Sequence, residues 1–151
     1  FNNSVGYASL EQGGNLIVKE QWLENPSWNI YLLLDNDEAL KICEYITNKK
    51  SVFTQYLGKN DHIADISEVE IIKNTKQISN VDKIDSLFVE NNACIDFDGL
   101  FIFKYKENLP MYLCEETNLY KFEKFIYTNA YIEEIKSDFI YKVNEKNIMF
   151  F

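Results

Sequence analysis

The chain has 151 residues, 46% of them hydrophobic and 15% aromatic, and a formal net charge of −9. That length and apolar content suit one domain with its own core and exclude a disordered chain. Every cation is a lysine, which removes the bidentate phosphate fork of arginine, and the acidic balance excludes a free-standing, broadly basic nucleic-acid binder.

The chain begins at Phe1 rather than Met, with no basic and apolar leader pattern behind it, so we expect it to start inside a longer protein. Residues Phe1 to Asn15 hold Gly6, Gly13 and Gly14 and read as a loop or hairpin remnant. Asn15 to Gln21 reads as a strand. After Pro26, Trp28 to Leu34 reads as a strand buried on both faces. No apolar run reaches the roughly 18 residues of a membrane helix.

Asp35 to Glu38 has the spacing of a capping box, with a carboxylate in place of the usual hydroxyl. Ala39, Ile42, Cys43 and Ile46 then follow helical periodicity. Asn48 can close this helix in a left-handed turn, and Lys49 and Lys50 complement its negative end. Ser51 to Asp65 reads as a loop and Ile66 to Lys73 as a strand, consistent with a βαβ-like unit.

The second half is strand-rich. The expected strands are Ser86 to Val89, Gly99 to Tyr105, Met111 to Cys114, Leu119 to Tyr127, Tyr131 to Ile135, Phe139 to Val143 and Ile148 to Phe151. Asp98-Gly99 and Lys106 to Pro110 read as turns. Short aromatic strands of this kind suggest a meandering antiparallel sheet.

Cys43, Cys94 and Cys114 are odd in number and widely spaced, so a disulfide framework or zinc ribbon is not expected, and we read them as reduced, mostly buried thiols. The acidic groups Asp35, Asp37 and Glu38, and Asp96 with Asp98, do not fit a calcium loop. We expect no metal and no cofactor. His62 is the single histidine; beside Asp61 it reads either as a general acid or base or as an exposed loop residue.

The unusual stretch runs from Lys49 to His62. Lys49, Lys50 and Lys59 are interleaved with Phe53 and Tyr56, Gly58 offers a turn, and Asn60 and His62 offer donors. Basic groups among aromatics can follow a phosphate backbone and stack bases. A helix cap followed by a core-anchored loop would place the same residues there.

Tyr31 to Asp35, the helix, Tyr56-Leu57-Gly58-Lys59-Asn60 and Ala64-Asp65-Ile66 resemble the CRISPR-associated Cas-five family, in particular its type I-B branch. Asn15 to Val18, Trp28 to Tyr31 and Ile148 to Phe151 are similar to other segments of that family. The resemblance implies an α+β fold: a ferredoxin-like, RNA-recognition-type portion over residues 1–85, with the end of a β-hairpin thumb, and an antiparallel β-rich region over 86–151, or both as one compact unit. The family's first strand and helix would then lie upstream of Phe1.

The resemblance further implies a cytoplasmic, non-catalytic subunit of a Cascade surveillance complex in antiviral defence. Such a subunit holds the 5′ handle of CRISPR RNA, contacts the backbone and large subunits, and meets target DNA only indirectly. The RNA-binding residues it implies are Lys49, Lys50, Tyr56, Gly58, Lys59, Asn60 and His62, with no catalytic residue. Lys59 stands where the family sometimes has arginine, so phosphate would meet a point charge there. The alternatives are an endoribonuclease maturing precursor CRISPR RNA and an unrelated acidic protein-interaction domain.

Overall fold

The computed structural model describes residues 2–4, 15–17 and 19–151, which fall into two units, Phe1–Leu32 and Leu33–Phe151. In the first unit, β1 (Asn2–Ser4) pairs antiparallel with β2 (Asn15–Ile17), Asn2 opposite Ile17. The expected hairpin remnant is therefore a hairpin at its ends, and Gly6, Gly13 and Gly14 lie outside the described residues. The expected strand to Gln21 stops earlier, since Lys19 to Gln21 have no strand partner among the described residues.

Trp28 to Leu34 is not a strand, which corrects the expectation of one buried on both faces. Ile30 is 89% and Trp28 56% exposed, and Tyr31, Leu33 and Leu34 are only half-buried. Ile66 to Lys73 is not a strand either, and Ile71 is exposed. The physical reason is common to both. Strand propensity describes a fit to a pleated, half-buried surface, and no neighbouring strand supplies one here. The helix α1 (Asp37–Thr47) thus lacks the two expected adjoining strands, and a βαβ unit does not form among the described residues.

The second unit is α+β, with antiparallel sheets that follow α1. One sheet runs in the order β10 (Lys146–Met149), β9 (Ile140–Val143), β3 (Lys76–Gln77). A second runs β4 (Phe88–Val89), β7 (Leu119–Thr128), β6 (Lys104–Cys114). A third pairs β5 (Ala93–Asp96) with β8 (Tyr131–Ile135). The sequence pattern anticipated β7, β8 and β9 closely, gave β4 two residues too many, placed β10 two residues late, and missed β3 and β5.

Two corrections concern β6. Lys106 to Pro110 is not a turn but the middle of this 11-residue strand. Proline is tolerated because β6 lies at a sheet edge and the register shifts between Pro110 and Tyr112. The expected strand from Gly99 begins only at Lys104. Ahead of it, the Asn129 side chain accepts from the Phe103 N–H at 2.9 Å and donates to the Phe101 carbonyl at 3.2 Å. A side chain thereby satisfies backbone groups that a ladder would otherwise pair.

The core joins the three sheets. Ile84, Phe88, Ala93, Ile126, Ile132, Ile140 and Met149 form one buried cluster, with Ile78, Val81, Ile95 and Ile135 packed against it. Phe125 turns to the opposite face of β7 and meets Phe151 edge-on at 4.8 Å. Residues 83–86 run along β10 without being a strand. Asp85 N–H donates to the Asn147 carbonyl at 2.8 Å, and the Asp85 carboxylate accepts from the Asn147 N–H at 3.0 Å. The Ser86 hydroxyl accepts from the Met149 N–H at 3.0 Å. These bonds tie Ile84 into the cluster.

Candidate nucleic-acid interface

Helix α1 leads to the site. Its N-cap is Asn36, not Asp35; the Asn36 side-chain oxygen accepts from the Ala39 N–H at 2.9 Å. An amide oxygen there answers a free helix donor as well as a carboxylate does, and Asp35 instead accepts from Asn36 at 2.8 Å. The apolar stripe is only partly covered. Ala39 is buried, Cys43 and Ile46 are half-buried, and Ile42 is 48% exposed. The reading of mostly buried thiols is corrected accordingly, because all three cysteines are free and half-buried.

The helix ends in a Schellman arrangement. Lys50 N–H donates to the Tyr45 carbonyl at 2.8 Å and Lys49 N–H to the Ile46 carbonyl at 3.0 Å. The left-handed residue is Lys49, φ 50°, whereas Asn48 has φ −87°. Lysine carries a Cβ penalty in that conformation that glycine does not. We expect Lys49→Gly to raise stability by up to about 1 kcal/mol, read from urea midpoints. A fall in stability would mean that the Lys49 side chain makes a compensating contact.

Residues 51–65 are more ordered than a plain loop. Tyr56 bridges Ile63, Ala64 N–H donates to the Gln55 carbonyl at 3.0 Å, and Leu57 N–H donates to the His62 carbonyl at 2.8 Å. The result is a small hairpin whose tip is Gly58 to Asp61. Gly58 has φ 78°, and a Cβ there would meet nothing within 4 Å. Backbone conformation, not space, favours glycine at this position.

The structure splits the expected site in two. Tyr56, Gly58, Lys59, Asn60 and His62 share the hairpin. Lys49 and Lys50 instead border an open groove of about 610 Å³, which Ile42, Tyr45 and Phe53 also line. Tyr56 is 55% exposed, and Lys49, Lys50, Lys59 and Asn60 are exposed. The His62 Nε2 lies 3.9 Å from Asp61 Oδ1. Phe53, one of the two aromatics of the stretch but not among the RNA-binding residues the resemblance implies, is 81% exposed beside the lysines. Its signal was a large aromatic placed directly after a helix end among polar residues.

These groups offer ammonium point charges and exposed rings. The charges can neutralise phosphate, and the rings can stack bases. Among the described residues, no group of three or more His, Cys, Asp and Glu side chains is placed to hold a metal ion. No described helix is long and apolar enough to cross a membrane. No protein-family model, curated protein or solved structure matches the chain.

Proposed function

We propose that the chain is a structural RNA-binding subunit of a type I-B CRISPR surveillance complex, holding the 5′ handle of CRISPR RNA in the cytoplasm. The observation that carries this reading is the tight hairpin at Tyr56 to Ile63, which displays Tyr56, Lys59 and Asn60 to solvent beyond the two lysines of a helix end. Local basic groups on an acidic chain suit a subunit that meets RNA over a small area and protein partners elsewhere. Exposed Trp22, Trp28, Ile30, Val52 and Phe53 support such partners, the backbone and large subunits of the complex. The reading assigns residues 1–85 to a ferredoxin-like portion, whose extended segments 28–34 and 66–73 gain strand partners inside the assembly.

The test is reconstitution of the complex with guide RNA. Lys49→Glu, Lys50→Glu and Lys59→Glu together are expected to impair assembly while leaving the melting temperature nearly unchanged. Each lost phosphate contact lowers the salt slope of binding by about 0.7 for single-stranded RNA. Unchanged affinity and slope in a well-folded triple variant would overturn the assignment. Cleavage of repeat RNA, abolished by His62→Ala, would replace it with the endoribonuclease reading.

A further inference from the structure

The loop at 97–103, which joins β5 to β6, presents an apolar tip to solvent. Leu100 is 89% and Phe101 94% exposed. Single exposed apolar residues are ordinary, whereas an adjacent pair on a shaped loop marks a contact surface. This loop is shaped. Phe101 has φ 63°, a left-handed conformation that is costly for a bulky aromatic. The Asn129 side chain holds it there through the Phe101 carbonyl and the Phe103 N–H. At the start of the loop, Asp98 N–H donates to Asp96 Oδ1 at 2.7 Å. Ile102 folds back on Gly99, where an added Cβ would lie 2.8 Å from its Cδ1. A tip fixed in this way loses little entropy on docking.

The same unit carries a receptor of matching chemistry. The open groove of about 610 Å³ at the end of α1 is walled by Ile42, Tyr45, Val52, Phe53 and Ile66, each at least 40% exposed. Two lysines, Lys49 and Lys50, border it against one carboxylate, Asp65. That is a local excess of cation on a chain with 24 acidic residues and 15 lysines. Neither lysine forms an ion pair among the described residues. The loop has the opposite balance. Residues 96–103 include Asp96 and Asp98 and no cation, and the next residue, Lys104, lies over the Phe97 ring at 4.0 Å. Leu100 and Phe101 face solvent, so the loop does not fill the groove of its own chain.

From this complementarity we infer that the free chain associates with itself head to tail: the loop of one copy seats Leu100 and Phe101 in the groove of a second copy, and Asp98 meets the lysines at its rim. Loop and groove are different patches, so the contact is heterologous and can continue from dimer to larger species. The net charge of −9 on each copy opposes approach. At about 0.15 M salt the screening length is about 8 Å, which weakens that long-range repulsion more than it weakens a contact pair. The contact area is small, and we expect a dissociation constant on the order of 100 μM. The inference concerns the chain before it meets RNA or partner subunits, and it stands or falls independently of the function proposed above.

The experiment is sedimentation of the nuclease-treated full chain from about 10 μM to about 1 mM, a range that brackets the expected dissociation constant. The wild type should pass from monomer to dimer and larger species. A loop variant, Leu100→Ser with Phe101→Gly, and a groove variant, Ile42→Glu with Phe53→Ser, should each weaken association at least tenfold. All four side chains are exposed, and thermal melts confirm that both variants are folded. An equimolar mixture of the two variants is decisive. One chain keeps an intact groove and the other an intact loop, so the mixture should associate again and stop at dimers. Asp98→Asn should weaken association about twofold, as for an exposed ion pair. A wild type that stays monomeric at about 1 mM would overturn the inference. So would association that neither variant weakens, or a mixture that associates no better than its parts.

Discussion

Phe88→Ala is expected to destabilise the protein by about 3–5 kcal/mol, the range for truncating a buried phenylalanine. Phe88 is fully buried and sits opposite Ile126, itself fully buried, in the two-residue pairing that joins β4 to β7. It packs in the one cluster that draws on all three sheets of the second unit, through Ile126, Ile132 and Ile140. Truncation removes the transfer free energy of the ring and leaves a cavity in a short-stranded framework. Typical domains are stable by about 5–15 kcal/mol, so the urea transition should move far toward zero denaturant. Leu100→Ala, at a residue 89% exposed, serves as the control and should stay within about 0.5 kcal/mol. Similar midpoints for the two variants would contradict the core assignment.

The second large effect is expected at Asp85. Its carboxylate accepts from the Asn147 N–H at 3.0 Å and lies 2.6 Å from the Lys83 ammonium. Lys83 is 56% exposed, so solvent screens the ion pair and the backbone bond carries most of the contribution. Asp85→Ala should cost about 2 kcal/mol, because a hydrogen bond to a charged group is lost and a half-buried N–H is left unpaired. Burial pushes the Asp85 carboxyl up, but the Lys83 hydrogen bond and the Asn147 N–H outweigh it and hold it below the ordinary value of 3.8.

A depressed carboxylate adds stability that is present above its unfolded value and lost as pH falls through its folded value. Wild-type stability should therefore fall below pH 3.8 through this group, and Asp85→Asn should remove that part of the acid dependence. Lys83 shifts the other way. The Asp85 hydrogen bond and charge raise it above 10.5, so its contribution is present below that value and lost as pH rises beyond it. Parallel acid curves for wild type and Asp85→Asn would show that the Asn147 bond does not depend on the charge.

Much was legible in the sequence. The helix followed from Ala39, Cys43 and Ile46 at helical spacing after a run of capping residues, and its observed range is Asp37–Thr47. Tyr131–Ile135 was read to the residue, and Leu119–Thr128 differs by one at its end. These segments carry dense β-branched and aromatic residues between clear turn formers, so local chemistry and final structure agree. The lysines and Tyr56 of the candidate interface could be named from sequence because charge, ring and glycine are chemical identities.

Other features needed partners distant in the chain. Trp28 to Leu34 and Ile66 to Lys73 have strand composition, yet a strand exists only where another offers its backbone groups. Lys106 to Pro110 has turn composition, yet β7 pairs along its whole length, and a free edge with a register shift accommodates Pro110. Cap positions moved by one residue at both ends of α1, because any of several neighbouring polar side chains can meet the same free groups. The two faces of the β6–β7 pair depend on which residue stands opposite which. A one-residue slip of β7 would put Glu123 on the face of Lys104 and Lys106, and pairing decides that register. Sequence determined which chemistry the chain carries, and tertiary structure decided which of it is brought together on one surface.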